Sequence, residues 1–144
     1  MKNIIFLLAI VVLLSINGIN AEQIFFDGFE SGDLNNSWNL TSANGANNWT
    51  NSTTNPYQGT RHAQVAPGST TTPASIMVRK ISTLGYQNIT LNYSRRLVGL
   101  DIADEYKSKY YNGTNCTVLE ETGAAAANDA NYLNKSYSLP SIAN

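Results

Sequence analysis

The chain has 144 residues, enough for one domain of ordinary size, and carries 9 Lys and Arg against 10 Asp and Glu. This charge balance excludes a general nucleic-acid binder, which would present a strongly basic surface. Charged residues make up only 13% of the chain, but eight Tyr, four Phe and two Trp argue against a disordered chain.

The first 21 residues have the pattern of a secretory signal peptide. Lys2 supplies a positive charge, an apolar run follows from Ile4 to Ile16, and Ala21 offers a small residue for cleavage. The run is about 13 residues long, whereas a membrane-spanning helix needs about 20. We therefore expect export, a mature chain of net charge −2 that begins near Glu22, and no membrane span within it. An uncleaved membrane anchor is the alternative.

Strand signals begin weakly after the signal peptide. The apolar run Ile24–Phe26 predicts a short strand that ends in an Asp-Gly turn pair. Gly, Asn, Ser and Pro dominate residues 31–60, which predicts a long irregular connection. A second short strand is expected over His62–Ala66, before a Pro-Gly stop.

The strand signals are stronger in the later part of the chain. Apolar and polar residues alternate over residues 89–98, the clearest period of two in the sequence. Asn112-Gly113 is a hairpin turn signal. Residues 123–130 are the one helix candidate, and a loop is equally consistent with their alanines. Strands are predicted over Ser75–Ile81, Ile89–Val98, Glu105–Tyr111, Cys116–Leu119 and Tyr132–Leu139.

Many short strands with almost no helix predict an all-β fold, an antiparallel sandwich or barrel of one domain over residues 22–144. Cys116 is the single cysteine, so no disulfide forms within the chain, and we expect it to be a small buried residue rather than a reactive thiol. The apolar phase of the strands and the two tryptophans predict the core: Trp38, Trp49, Val65, Ile76, Val78, Ile89, Leu91, Tyr93 and Leu97.

The N-glycosylation pattern Asn-x-Ser/Thr occurs nine times, where the composition would give about three by chance. This excess predicts a glycoprotein that meets a glycosylation machinery after export. The alternative is that Asn and Thr simply suit the turns and exposed faces of a β protein. Asn115 precedes Cys116 in a predicted strand and is set aside. The glycosylation candidates are Asn35, Asn39, Asn48, Asn51, Asn88, Asn92, Asn112 and Asn134.

No catalytic constellation is visible in the sequence. His62 is the only histidine, which excludes an HExxH zinc motif, and its alternation with Gln64 predicts a strand-face residue. Arg95 and Arg96 are adjacent on a predicted strand, so one of them must face inward. An inward sheet face with Arg, Tyr93 and Asn92 could bind sugar, or the arginine stem could simply pack there. We therefore expect a non-enzymatic protein.

Several segments together resemble a known class of module. Residues 26–32, Phe-Asp-Gly-Phe-Glu-Ser-Gly, are followed by two isolated tryptophans and by Gly-Thr-Arg-His-Ala at residues 59–63. Further similar segments are residues 81–91, 99–101 and 111–114. This order resembles the MAM-like and concanavalin-like jelly-roll modules of exported prokaryotic proteins. The disulfide cysteines of animal MAM modules are absent.

The resemblance implies a β-sandwich of jelly-roll type that lacks its last strand or strands, since such modules normally continue beyond Leu139-Pro140. It also implies a structural calcium ion, because acidic residues cluster before Leu34 and after Leu100 with none between. We expect Glu30 and Asp101 as its ligands and Asp27 and Asp104 as alternates; solvated turn acids are the alternative.

The predicted function is that of a secreted or cell-surface module for adhesion or recognition. Its partner would be a glycan or a surface protein. Two alternatives stay open at this point: an N-terminal accessory piece of a larger secreted hydrolase, and a purely structural glycosylated envelope protein.

Overall fold

The computed structural model describes residues 21–42, 48–66, 75–100, 104–123 and 128–140. These residues form an all-β structure with one short 3-10 helix at Leu34–Asn36 and no α-helix. The all-β class predicted from the sequence is confirmed, and the architecture is consistent with an antiparallel sandwich. The strands are β1 (Asn39–Ser42), β2 (Thr50–Ser52), β3 (His62–Gln64), β4 (Ser75–Val78), β5 (Thr90–Arg95), β6 (Tyr106–Tyr111), β7 (Cys116–Thr122) and β8 (Leu133–Ser138).

The strands pair in two nested sets, all of them antiparallel. β1 pairs with β4 around the β2–β3 pair, and β5 pairs with β8 around the β6–β7 pair. The nesting brings residues far apart in sequence onto neighbouring strands. The predicted order of a jelly roll stays a prediction.

The β6–β7 hairpin confirms the turn signal at Asn112-Gly113. The side-chain Oδ1 of Asn112 accepts hydrogen bonds from the backbone N–H groups of Thr114 and Asn115, at 2.9 and 2.7 Å. Gly113 has a φ of +94°, a backbone region that glycine enters without a Cβ penalty. Farther along the hairpin, a bulge leaves Leu119 between two paired residues of β7 and re-aims the strand.

Two strands lie inside the segment that the sequence predicted to be irregular. β1 and β2 are short runs of Asn, Thr and Ser with one Leu, so they lack the apolar alternation that signals a strand. β1 pairs with β4 and β2 pairs with β3, and the hydrogen bonds of these pairings hold the two strands although their composition does not predict a strand. Conversely, residues 24–26 were expected to form a strand and are irregular.

The predicted core is wrong in β4. Ile76 and Val78 are 47% and 49% exposed, whereas Met77 lies on the inner face opposite Leu40. Residues of β4 alternate between the two faces of the sheet as predicted, but the face assigned to the core is the wrong one. Ile76 and Met77 are both apolar, so only the partner strand decides which of them turns inward. Trp38, Trp49, Val65, Ile89, Leu91, Tyr93 and Leu97 are half-buried.

Leu34, on the 3-10 helix, is the one apolar residue in the described part of the chain that counts as buried, at 4% exposed. Asp33 caps this short helix through a hydrogen bond from the Asn35 N–H to its carboxylate. Cys116 was expected to be buried and is exposed, because it begins β7 opposite the exposed Tyr111.

The predicted signal peptide, residues 1–21, lies almost entirely outside the described residues. Among the residues that are described, no helix is long and apolar enough to cross a membrane.

Candidate functional site

The Asp-Gly-Phe-Glu motif near the N-terminus holds its own segment in place. Asp27 accepts hydrogen bonds from the Phe29 N–H at 2.6 Å and from the Trp38 indole Nε1–H at 2.7 Å. The Trp38 ring meets Phe25 edge-on, with ring centroids 5.8 Å apart, and also contacts Phe29. Asp27 therefore uses both carboxylate oxygens to orient an aromatic cluster.

Glu30 ties the same motif to the loop between β2 and β3. Its carboxylate accepts hydrogen bonds from the Thr60 N–H at 2.9 Å, from the Arg61 N–H at 3.0 Å, and from the Thr60 hydroxyl. We call these three residues the Glu30 clamp. The Thr60 hydroxyl bond, followed by the Thr60 N–H, lowers the pKa of Glu30 below its usual value, because these donors favour the ionised carboxylate.

Asn51 completes this connection from β2. Its Nδ2 donates to the Phe29 carbonyl at 2.7 Å, and its Oδ1 accepts from the Arg61 guanidinium at 2.9 Å. Both ends of the amide are thus used within the fold. The N-terminal motif, β2 and the loop after it form one connected unit.

The loop held by the Glu30 clamp carries the exposed Tyr57, which meets the half-buried Tyr132 at the start of β8, and we call these two residues the tyrosine pair. The Tyr57 side chain is 51% exposed and its ring centroid lies 5.3 Å from that of Tyr132, at an interplanar angle of 52°. The Tyr132 hydroxyl donates to the Asn55 carbonyl at 3.0 Å, which fixes the loop against the start of β8. The tyrosine pair is thus a partly exposed aromatic surface joined to the loop by a hydrogen bond.

Polar groups border the tyrosine pair. Arg96 lies near Tyr132: burial raises the pKa of the Tyr132 hydroxyl and the positive Arg96 opposes that rise. The Arg96 side chain is exposed and its Nε donates to the Asp129 carbonyl at 3.2 Å, so the guanidinium is held in place. Gln58, next to Tyr57, is exposed as well. Sequence reasoning missed this surface, because Tyr57 and Tyr132 are 75 positions apart.

Arg95, the neighbour of Arg96, points inward and joins the β5–β8 and β6–β7 sheets. It forms ion pairs with Glu120 and Asp129, and all three side chains are at least 86% buried. Glu120 also pairs with Lys135 at 2.8 Å. Burial raises the pKa of Glu120, but the bonds from Arg95, then Lys135 and Tyr93, outweigh it and bring the pKa to about 2.

Tyrosines surround this ion cluster. The Tyr93 hydroxyl donates to Glu120 at 2.8 Å, and its ring stacks on Tyr137 with centroids 6.0 Å apart. The Arg95 guanidinium lies 5.6 Å from the Tyr106 ring centroid. Burial raises the pKa of the Tyr93 hydroxyl far above its usual value. The inward sheet face was a candidate for sugar binding, but Arg95 and Tyr93 on that face are already bonded to other side chains of the protein. Asn92 lies on the outer face.

The acidic residues predicted as calcium ligands are placed as follows. Asp27 is half-buried and Glu30 is exposed, and each accepts hydrogen bonds from N–H donors. Asp104 is half-buried, and Asp101 lies outside the described residues. Within the described ranges, no group of three or more His, Cys, Asp or Glu side chains could hold a metal ion. The calcium site stays a prediction, to be tested by thermal melts in EDTA and in millimolar calcium.

The glycosylation candidates differ in exposure. Asn51 and Asn112 are half-buried and are hydrogen-bonded through their side chains. The remaining sequon asparagines are exposed: Asn35, Asn39, Asn48, Asn88, Asn92, Asn115 and Asn134.

His62 lies in β3 as a half-buried strand residue, and burial lowers its pKa.

Comparisons with protein-family models, with curated proteins and with solved structures gave no match to this chain.

Proposed function

We propose that the protein is a non-catalytic, exported module of the MAM-like jelly-roll type that recognises carbohydrate through the tyrosine pair Tyr57 and Tyr132. The exposure of Tyr57 on a loop that is tied down at both ends carries this proposal. Loops held on a rigid scaffold are where binding residues concentrate.

The chemistry of the tyrosine pair suits a sugar ring. A pyranose has an apolar C–H face and a rim of hydroxyl groups, and a tyrosine offers an apolar ring face and a polar tip. The Arg96 guanidinium near Tyr132 supplies hydrogen-bond donors, and the exposed Gln58 follows Tyr57 in the sequence and offers an amide. Stacking and rim hydrogen bonds together would orient a sugar over Tyr57.

The scaffold reduces the entropic cost of binding. The Glu30 clamp holds the loop at Thr60 and Arg61, and Tyr132 holds it at Asn55. A loop already in its binding conformation loses less freedom when the ligand arrives. This gives the N-terminal Asp-Gly-Phe-Glu motif a role in recognition without contact to the ligand.

The test is a titration of the mature chain with soluble neutral and acidic polysaccharides, followed by calorimetry. Replacing Tyr57 with Ala should weaken binding at least about tenfold, as expected for loss of a central aromatic contact. Tyr111→Ala is the matched control, because Tyr111 is 64% exposed but lies on the β6–β7 hairpin. Failure of every polysaccharide to bind, or equal losses in the two variants, would contradict the proposal.

A further inference from the structure

The outer face of the β1–β4 sheet combines a glycosylation sequon with exposed apolar side chains. Asn39 and Thr41 are two residues apart on β1, so both point to the same face, and both are exposed. Together with Leu40 between them, they form the sequon Asn-Leu-Thr. The strand thus presents the acceptor amide and the required hydroxyl side by side to solvent.

The strand register places apolar residues directly across from this sequon. Asn39 pairs with Val78 and Thr41 pairs with Ile76. Directly opposed residues have Cβ atoms about 4.5–5.5 Å apart. Val78 and Ile76 are 49% and 47% exposed, so the acceptor asparagine adjoins the exposed apolar side chains of β4.

The comparable sequons on the β5–β8 sheet lack such neighbours. Asn92 pairs with Ser136, and Ser94 pairs with Asn134, so each asparagine faces a serine of the other sequon. The Ser94 hydroxyl donates to Asn134 Oδ1 at 2.6 Å. Asn92 is therefore a sequon asparagine that is exposed on a strand, as Asn39 is, but has no apolar residue opposite it.

We propose that Asn39 carries an N-linked glycan whose first sugars lie over Val78 and Ile76. The glycan is the occupant of this apolar sheet face: the apolar faces of its sugars cover the two side chains, and its hydroxyl groups face water. Exposed apolar sheet surface otherwise favours self-association. The inference rests on the export part of the proposed function and is independent of sugar recognition by Tyr57.

The modification is a group transfer from a polyprenyl-phosphate-linked oligosaccharide. A bond forms between Asn39 Nδ2 and the anomeric carbon of the first sugar, as the bond from that carbon to the phosphate oxygen breaks. The phosphate leaves on its lipid carrier, and the proton that Nδ2 loses passes to solvent. Thr41 supplies the hydroxyl that the sequon requires.

The experiment expresses the full chain, with its own N-terminal segment, in insect cells and analyses the secreted protein. Peptide mass spectrometry should find a hexose-containing adduct on Asn39. Asn39→Gln should increase emission of the apolar dye bis-ANS by about twofold or more and increase self-association in light scattering, because Val78 and Ile76 become uncovered. Asn92→Gln is the matched control and should change neither readout.

Two further variants separate the glycan from the amide. Thr41→Ala keeps Asn39 but removes the sequon, so it should reproduce Asn39→Gln. Combining Asn39→Gln with Ile76→Thr and Val78→Thr should return dye binding to the wild-type level. Unmodified Asn39 in secreted protein, or equal dye binding by the Asn39 and Asn92 variants, would overturn the inference.

These outcomes are distinct from failure of the proposed function. Loss of polysaccharide binding with a glycan on Asn39 would overturn sugar recognition and leave the glycan inference standing. Retention of the chain inside the cell with Met1 intact would overturn the export on which both depend.

Discussion

The carboxylate of Glu30 lies so close to Gly59 that a Cβ at position 59 would overlap Glu30 Oε1. Gly59 also has a φ of +69°, in the region where side chains are disfavoured. Two requirements for glycine therefore coincide at one residue. The contact positions the Glu30 carboxylate for the N–H groups of Thr60 and Arg61, and through them the loop that carries Tyr57.

Replacing Gly59 with Ala should destabilise the protein through both backbone strain and overlap with Glu30. Gly113→Ala is the control, because Gly113 also has a positive φ but a Cβ there would meet nothing within 4 Å. Strain alone costs about 1–2 kcal/mol, and the overlap should add at least about 1 kcal/mol for Gly59→Ala. Urea unfolding measures the difference, and equal losses in the two variants would show that Glu30 can move aside.

The Glu30 clamp should weaken in acid. The hydrogen bonds from Thr60 and Arg61 lower the pKa of Glu30 in the folded state, so this carboxylate contributes stability that is present above its unfolded pKa and lost as pH falls through its folded pKa. Unfolding midpoints in urea at pH 7 and below pH 4.5 should therefore differ less in Glu30→Gln than in the wild type. An unchanged difference between the two pH values would contradict the role given to Glu30.

Glu120 should be far more important for stability than its neighbour Glu121. Glu120 is 8% exposed and pairs with the buried Arg95, whereas Glu121 is 49% exposed and pairs with Lys107. Glu120→Gln leaves Arg95 undercompensated and should cost about 3–5 kcal/mol, whereas Glu121→Gln should change stability by less than about 0.5 kcal/mol. The two variants are compared by urea unfolding at pH 7.

The ion cluster around Glu120 should also add to acid sensitivity. Its folded pKa of about 2 lies below the usual value of 4.5, so the associated stability is present above pH 4.5 and disappears as pH falls toward 2. Glu120→Gln should remove this part of the acid dependence. If the stability of Glu120→Gln fell with decreasing pH as steeply as that of the wild type, the result would contradict the ion pairs of Glu120.

Cys116 should react as an exposed thiol. It lies at the start of β7 with Tyr111 as its cross-strand neighbour and is open to solvent. Iodoacetamide should therefore label it in the native protein at a rate within about threefold of that in denaturant, because access does not limit the reaction. If native Cys116 reacted with iodoacetamide far more slowly than in denaturant, the result would support the buried position predicted from the sequence.

The strands that could be predicted from the sequence carry strong local signals. Residues 89–98 alternate between apolar and polar, and β5 lies within them. The Asn112-Gly113 turn fixes the β6–β7 hairpin, because its geometry depends on two adjacent residues. β1 was missed because Asn39–Ser42 has little strand preference of its own and depends on β4 for its hydrogen bonds.

The candidate site was harder to predict than the strands. Sequence reasoning selected Asp27 and Glu30 as functional acids, and the structure shows both bonded to N–H donors. It did not select Tyr57 or Tyr132, because no local pattern connects a loop residue to one at the start of β8. Polar and aromatic residues become a site only when distant segments meet.

The sequence by itself determined the all-β class, the hairpin turn and the strand positions of the later half, because these follow from periodicity and turn chemistry within a few residues. Only the tertiary structure decided which face of β4 turns inward, which of Arg95 and Arg96 joins the ion cluster, and what the acids of the N-terminal motif bind. Those outcomes depend on the surface of a partner strand or loop. A local pattern carries the period of a strand, but the partner sets its phase.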